Sequence, residues 1–204
     1  MKITILGANG QTGVQVIKQA LEAGYTVNAL VRNAETLKKR ADLNLFVGNA
    51  TNVKDVSAAS KGSDVIISVL GTDPSKTSTL MSDAVSAVIE ASKSTGVKRF
   101  IFMSSFGVSS HLAGGAMKSV SWMMKRMFKD YVVGAAILRN SNLDWTVVHA
   151  ARLTNQPKGS GLRVIPSTEK LSIKHQITRA DVATWILQET KENAYIKAEV
   201  TISR

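Results

Sequence analysis

The sequence contains no cysteine among its 204 residues. Disulfide bonds, thiolate catalysis and cysteine-ligated zinc are therefore excluded. The three histidines, His111, His149 and His175, lie far apart, without the spacing typical of metal ligands. We therefore expect no metal site.

Long hydrophobic runs are also missing. A helix that spans a bilayer needs roughly 20 consecutive apolar residues, and no run in this sequence approaches that length. The first residues, MKITILGANG, have too short an apolar part for a secretory signal peptide. We therefore expect a cytoplasmic protein without an integral membrane segment.

Acidic residues are scarce. The 15 Asp and Glu residues face 26 Lys and Arg residues, which gives a formal net charge of +11. Such an excess can attract nucleic acid, acidic membranes or anionic small molecules. The basic residues occur in small groups, and no zinc-finger or RRM signature accompanies them. We interpret them as solvated helix faces that attract anions in general, and we expect no nucleic-acid partner.

Short β-branched runs alternate with longer amphipathic runs along the whole sequence. Strands are predicted over 2–6, 25–31, 43–48, 64–71, 97–105, 144–150 and 195–203. Helices are predicted over 12–23, 33–41, 53–62, 77–95, 117–141 and 178–190, and residues 151–177 are predicted to be irregular. This alternation predicts a single doubly wound α/β Rossmann domain over residues 1–204, with a mostly parallel sheet and helices on both faces.

Three glycines, Gly7, Gly10 and Gly13, separate the first strand from the first helix. In a dinucleotide-binding turn the first glycine permits a tight turn, the second lets a pyrophosphate approach the backbone, and the third lets helix and strand pack closely. The start of the helix adds free N–H groups and a positive dipole end. Three polar residues of the turn can donate further hydrogen bonds: Asn9, Gln11 and Thr12. The alternative is a tight turn without a ligand, but the strand before and the helix after it favour a dinucleotide.

The second predicted strand ends without a carboxylate. An acid at that place would bind the ribose 2′-OH of NAD, whereas here Arg32 occupies it. A guanidinium binds phosphate through a fork of N–H donors, so the sequence favours NADP(H), with NADPH preferred over NADH. Lys38 or Arg40 could add to the phosphate site. The alternative is an arginine that is simply solvated at a strand end.

Several further motifs follow in a fixed order. They are LVRN (30–33), GSDVIISVLG (62–71), VKRFIFMSSFGV (97–108), LRNSNLDWTVVHAARLT (138–154) and ITRADVATWIL (177–187). Together with GANGQTG (7–13), they make the chain resemble the atypical short-chain dehydrogenase/reductase proteins with an NAD(P)H-binding domain. The resemblance is to the flavin reductase/biliverdin-IXβ reductase and NmrA-like types, and it covers nearly the whole chain.

The resemblance implies cofactor contacts beyond the glycine turn. Asn49 and Ala50 would lie by the adenine, where Asn49 replaces a usual aspartate and could pair with the amino group. The other implied contacts are Val69, Leu70 and Gly71 beside the ribose and pyrophosphate, Ser104 near the nicotinamide, and His149 and Ala150 beside its amide. The segment from His149 to Arg152 replaces an Arg-Pro sequence that is usual in this group.

The catalytic residues of ordinary short-chain dehydrogenases are a Tyr-x-x-x-Lys pair. Here the candidate is Tyr131, and Ala135 stands four residues later in place of lysine. Tyr131 matches by spacing a place where flavin-reductase-type relatives carry a substrate-facing residue, although it could also be an ordinary helix residue. Ser105, at the end of the fifth predicted strand, could hold the nicotinamide or donate to the acceptor. Ser105 and Tyr131 are therefore the candidate catalytic residues.

The segment 117–127 combines methionines with lysines and arginines. Methionine adapts its shape to irregular or promiscuous apolar pockets. The segment could cover the core, form a flexible wall for a flat aromatic substrate, or contact a second copy or a membrane surface. Residues 106–130 and 151–177 are expected to form the small substrate-side region.

These features predict an NADPH-dependent oxidoreductase that transfers hydride to a flavin, quinone or similar flat acceptor. A non-catalytic NAD(P)-binding sensor of the NmrA-like kind is the alternative. An epimerase or dehydratase is a further alternative, which the interrupted Tyr-x-x-x-Lys motif disfavours.

Overall fold

The computed structural model describes residues 1–38, 40–72, 78–108, 125–170, 172 and 174–204, with the side chains of residues 36 and 125–127 left out. Its strands are β1 Lys2–Leu6, β2 Thr26–Val31, β3 Leu43–Val47, β4 Val65–Ser68, β5 Arg99–Ser105, β6 Asp144–Ala150, β7 Arg152–Thr154, β8 Arg163–Ile165, β9 Gln176–Thr178 and β10 Ala198–Ser203. Its helices are α1 Gln11–Glu22, α2 Val53–Ser60, α3 Leu80–Thr95, α4 Lys125–Arg139 and α5 Arg179–Glu192.

Eight strands form one sheet in the order β3-β2-β1-β4-β5-β6-β10-β8. Its neighbouring strands run parallel, except that β8 joins β10 in the antiparallel sense. The chain winds outward from β1 to β3, then returns past β1 to β4 and continues outward. Such a reversal opens a crevice at the carboxyl ends of the strands. The predicted doubly wound fold is thereby confirmed.

Helices cover both faces of the sheet. Helices α1 and α5 pack together on one face, and α2, α3 and α4 lie side by side on the other. Successive strand residues alternate between two apolar cores: Ile101 belongs to the α1/α5 core, and Phe100 and Phe102 to the opposite one. Strands buried on both faces explain the nearly continuous apolar runs in the sequence. In the described ranges, no helix is long and apolar enough to cross a membrane.

The helix predicted over 33–41 is wrong. One 3₁₀ turn, Ala34–Thr36, follows β2, with Asn33 Oδ1 accepting a hydrogen bond from Glu35 N at 2.9 Å, and Leu37 is already extended. A short helix is marginal unless one of its faces is buried. Leu37 packs against the α1/α5 core from this extended conformation, and the next residue, Lys38, is exposed.

The prediction that 151–177 is irregular is also wrong, because this segment contains three short strands. Strands β7 and β9 pair in parallel as a separate two-stranded sheet, and β8 extends the main sheet. Each strand has three residues, too few for an alternating pattern to be visible in the sequence. They are recognisable as strands only because they pair with β9, β10 and β7 in the folded structure. The predicted helix 117–141 is described only from Lys125 onward, and residues 117–124 lie outside the described ranges.

A buried ion pair anchors α5 to the amino edge of the sheet. Arg99 Nη2 lies 2.6 Å from Glu189 Oε1, and both side chains are almost completely buried. Glu189 Oε1 also accepts a hydrogen bond from Tyr195 N at 3.0 Å, and Arg99 Nε donates to Asn193 Oδ1 at 2.8 Å. Burial lowers the pKa of the Arg99 guanidinium, and the charge of Glu189 opposes that effect. Because this network holds one end of α5, it also positions the other end, which begins at the carboxyl edge.

Glu189→Ala should strongly destabilise the fold, because Arg99 would remain buried without a counter-charge. The expected loss is about 3–5 kcal/mol of unfolding free energy. In a chain of this length that lowers the melting temperature by roughly 10 °C. Glu90→Ala, which removes the exposed partner of Lys93, is the matched control and should cost less than about 1 kcal/mol. Equal losses for the two variants in thermal denaturation would contradict this account.

Candidate functional site

A cleft runs along the carboxyl edge of the sheet. It consists of an outer chamber of about 670 Å³ and an inner chamber of about 530 Å³. Both are lined by Gly10, Val69, Leu70 and Gly71, so the two chambers adjoin each other. The outer chamber lies over β1, β2, β3 and β4, and the inner chamber over β4, β5 and β6.

Each of the three glycines in the first turn is required, or favoured, for a different structural reason. Gly7 has φ +83°, and a Cβ there would lie 2.9 Å from Leu70 N. A Cβ on Gly13 would lie 2.3 Å from Gly7 O, so the packing of α1 on β1 requires glycine. Gly10 has φ −71°, which other residues adopt readily, and its Cβ would meet Gly7 O at 3.2 Å and face the cleft beyond. Gly10 is therefore the position where a missing side chain mainly makes room for a ligand.

The N-terminus of α1 faces the same space. Gly10 is the N-cap and supplies no side-chain hydrogen bond, and the first turn contains no acidic residue. The positive end of the helix dipole and its first N–H groups are thus not satisfied by a cap. Gln11 and Thr12 also line the inner chamber. This cradle fits the pyrophosphate of a dinucleotide.

Arg32 lies directly after β2 and lines the outer chamber. Its side chain is exposed, and no described carboxylate forms an ion pair with it. The described residues that line this chamber include no Asp or Glu. The guanidinium is therefore available to bind a phosphate.

The loop after β3 forms the far wall of the outer chamber. Gly48 N donates to Val31 O at 2.9 Å, and Asn49 N donates to Asp55 Oδ2 at 2.8 Å. Asn49 Oδ1 accepts from Thr51 N at 3.1 Å, which leaves the side-chain NH₂ as the freer group. An adenine ring nitrogen therefore suits Asn49 better than the adenine amino group. Ala50 lines the chamber beside it.

The inner chamber brings together both candidate catalytic residues. Ser105 ends β5, and its Oγ accepts a long hydrogen bond from Gly107 N at 3.4 Å. Tyr131, on α4, packs against Phe102 with ring centroids 6.3 Å apart. Ser104 Oγ is buried and has no hydrogen-bond partner in the described structure. Ser104 lies opposite His149 in the pairing of β5 with β6, so its side chain lies on the same face of the sheet as His149.

Burial raises the pKa of the Tyr131 phenol, and the nearby Thr72 lowers it only in part. Thr72 Oγ1 is itself buried without a partner of proper hydrogen-bond geometry in the described ranges, so this offset is weak. The phenol therefore stays protonated at neutral pH and acts as a hydrogen-bond donor. Ala135, four residues later, is completely buried.

The structure does not bring the His149 side chain to the cleft. His149 is buried on the α4 side of β6, where its Nε2 lies 3.0 Å from Glu199 Oε2. This hydrogen bond, with help from Arg139, holds the pKa of Glu199 at about 2. The next residue, Ala150, points to the other face and lines the inner chamber. The alternation of strand residues explains why the two side chains cannot share one ligand.

Most of the predicted site residues line the cleft. Those in the outer chamber are Gly7, Asn9, Gly10, Arg32, Asn49, Ala50, Val69, Leu70 and Gly71. Those in the inner chamber are Gln11, Thr12, Ser104, Ser105, Tyr131 and Ala150. Gly13 lies behind the turn, and His149 lies behind the sheet.

Sequence reasoning missed several lining residues. They include Thr72, Phe106, Leu153 and Arg179, while Arg152 entered only as the end of a segment beside the nicotinamide. Arg179 directly follows a strand that is only three residues long, so no strand-end signal pointed to it. The methionines of residues 117–124 lie outside the described ranges, as does the side chain of Met127.

Gly10→Ala should weaken NADPH binding without unfolding the protein, because its Cβ would enter the cleft rather than the core. Losing one hydrogen bond to a charged group reduces affinity by on the order of tenfold. Gly13→Ala is the matched control and should mainly lower the melting temperature, because its Cβ collides with the Gly7 carbonyl. Calorimetric titration and thermal denaturation measure the two effects. An unchanged dissociation constant for Gly10→Ala would contradict the role given to this glycine.

Comparison with known proteins adds relatives of similar length. Protein YMR090W of Saccharomyces cerevisiae, of the UPF0659 group, is 26% identical over 222 residues, which cover 99% of this chain and 92% of that protein. The uncharacterized sugar epimerase YhfK of Bacillus subtilis is 28% identical over 94% of this chain and 89% of its own length.

Solved structures share the fold. A short-chain dehydrogenase/reductase of Veillonella parvula in complex with NADP superposes with a TM-score of 0.80 at 18% identity, over 100% of this chain and 94% of that one. ChuY, an anaerobillin reductase from Escherichia coli O157:H7, superposes with a TM-score of 0.81 at 21% identity, over 99% of this chain and 96% of that one.

A family model described as NAD(P)H-binding matches residues 7–193. Because this match includes the glycine turn, the lining of both chambers and all of α5, the chain belongs to the NAD(P)H-binding family.

Proposed function

We propose that this protein is an NADPH-dependent reductase that transfers hydride to a flavin, quinone or similar flat acceptor. The observation that carries the proposal is that the two chambers share one wall. The glycine turn at Gly10 lies beside a largely apolar chamber that is also lined by Ser105 and Tyr131. A cofactor and a second ligand can therefore meet end to end.

The preference for NADPH rests on the outer chamber. Arg32 has no ion-pair partner among the described residues, and the described lining lacks the carboxylate that an NAD ribose would use. A carboxylate there would also repel a 2′-phosphate. The charge at this place therefore favours the phosphorylated cofactor.

The chain itself supplies binding, orientation and exclusion of water. Residues 69–71 form the wall that both chambers share, and Ser104, Ser105 and Tyr131 line the inner chamber. When bound, NADPH would supply the hydride, and the acceptor would take one proton from water, so that NADPH, acceptor and H⁺ give NADP⁺ and the reduced acceptor. Tyr131 is suited to donate a hydrogen bond to a carbonyl of the acceptor, because its phenol stays protonated.

A non-catalytic NAD(P) sensor is the second candidate. The observation that favours it is that the described lining of the inner chamber contains no Lys, His, Asp or Glu. Such a lining can bind a cofactor without providing a residue that exchanges protons near neutral pH. The same observation weighs against an epimerase or dehydratase, although one relative carries a sugar-epimerase name.

The test is NADPH oxidation by the purified protein with a panel of FMN, riboflavin, dichlorophenolindophenol and menadione. The reductase proposal predicts turnover with at least one acceptor, and a reduced rate for Tyr131→Phe and Ser105→Ala. If either substitution raises the activation free energy by about 1.4–2.7 kcal/mol, the turnover rate falls roughly 10- to 100-fold. NADPH binding without oxidation of NADPH by any acceptor would reject the reductase and favour the sensor.

A further inference from the structure

Two arginines line the inner chamber, at the opposite end of the cleft from Arg32. Arg152 belongs to β7, and Arg179 is the first residue of α5, directly after β9. Strands β7 and β9 pair in parallel, with Arg152 opposite Gln176 and Thr154 opposite Thr178. Arg152 therefore begins one strand of this small sheet, Arg179 directly follows the other, and both residues line the inner chamber.

Neutral amides hold both side chains in place. Arg152 Nη2 donates to Gln176 Oε1 at 2.7 Å, and Arg179 Nη1 donates to Asn155 Oδ1 at 2.6 Å. An amide oxygen fixes the direction of a guanidinium but leaves its charge uncompensated. Each guanidinium carries five N–H donors, so most of them remain for a ligand.

Several other arginines of the described structure have carboxylate partners. Arg99 pairs with Glu189, Arg139 with Glu199, and Arg163 with Glu169. Arg152 and Arg179 have no ion pair with a described residue, and the described lining of the inner chamber includes no Asp or Glu. The positive potential of this chamber is therefore not cancelled locally.

The remaining walls of the chamber are largely apolar, although Gln11, Thr12, Ser104 and Ser105 also line it. Met103, Phe106 and Leu153 line it together with the backbone of residues 69–71. A volume of about 530 Å³ lies in the range of small-molecule sites. The chamber thus combines apolar walls for a ring system with a cationic edge for a negatively charged substituent.

We propose that the acceptor is an anionic flat molecule, whose ring system lies in the inner chamber and whose phosphate or carboxylate is bound by Arg152 and Arg179. This inference rests on the proposed reductase function and specifies its substrate class. Forked N–H donors suit both kinds of anion. Arg32 then binds the phosphate of the cofactor, and the arginine pair binds the charge of the acceptor.

FMN and riboflavin test this directly, because they share one isoalloxazine ring and differ by a phosphate. Flavin binding to the protein with saturating NADP⁺ is measured by fluorescence quenching, and NADPH oxidation is measured in parallel. FMN should bind on the order of tenfold more tightly than riboflavin, since hydrogen bonds to charged groups have that effect. The double variant R152Q/R179Q should abolish the difference by weakening FMN, with riboflavin unchanged within about twofold.

Lys98→Gln is the control, because this exposed residue directly precedes β5, at the amino edge and away from the cleft. It removes a positive charge and should leave both flavins unaffected. Equal binding of FMN and riboflavin to the parent protein would overturn the inference. So would a double variant that raises the KM for NADPH while the FMN preference persists, because the arginines would then serve the cofactor. Tighter FMN binding without any turnover would support the anion site and reject the reductase.

Discussion

The contact between α1 and the end of β1 determines where a ligand can bind. The backbone at position 13 comes so close to the Gly7 carbonyl that a Cβ there would lie at 2.3 Å. This approach brings the uncapped start of the helix to the carboxyl edge of the sheet, beside the reversal between β1 and β4. A Cβ on Gly10 would meet Gly7 O at 3.2 Å and would otherwise face the cleft. Backbone packing thus requires glycine at positions 7 and 13, whereas Gly10 lines both chambers of the cleft.

The arginines of the cleft differ from several arginines elsewhere in the structure. Away from the cleft, Arg99 and Arg163 are paired with carboxylates. Within the described lining of both chambers, arginines lie without acidic neighbours, at Arg32 on one side and at Arg152 and Arg179 on the other. A buried ion pair at the amino edge anchors α5, whose first residue is one of the cleft arginines. In a protein with a net charge of +11, these three arginines place positive charge at this edge of the sheet, which attracts anions.

The sequence was sufficient for the long elements and for the cradle. The glycine turn and the position of Arg32 at the end of β2 are set by residues close together in the chain, so the sequence alone could reveal them. The expected contact of His149 with the nicotinamide amide rested on a motif that covers several consecutive residues. Consecutive side chains of a strand point to opposite faces, and that of His149 lies against Glu199, away from the cleft. Arg179 was missed because β9 is recognisable only through its pairing with β7. The helix expected over 33–41 was wrong because the chain leaves the 3₁₀ turn at Leu37, which packs on the core in an extended conformation. Tertiary contacts of this kind override helix propensity.

The most direct test of the central claim is the affinity of the protein for the two nicotinamide cofactors. Dissociation constants for NADPH and NADH are measured by calorimetry for the parent protein, for Arg32→Asp and for Lys98→Asp as the charge control. The account predicts that the parent binds NADPH on the order of tenfold or more tightly than NADH, since a guanidinium–phosphate contact has about that strength. Arg32→Asp should remove or reverse this preference, and Lys98→Asp should keep it. Equal affinities for NADPH and NADH in the parent protein would contradict the account.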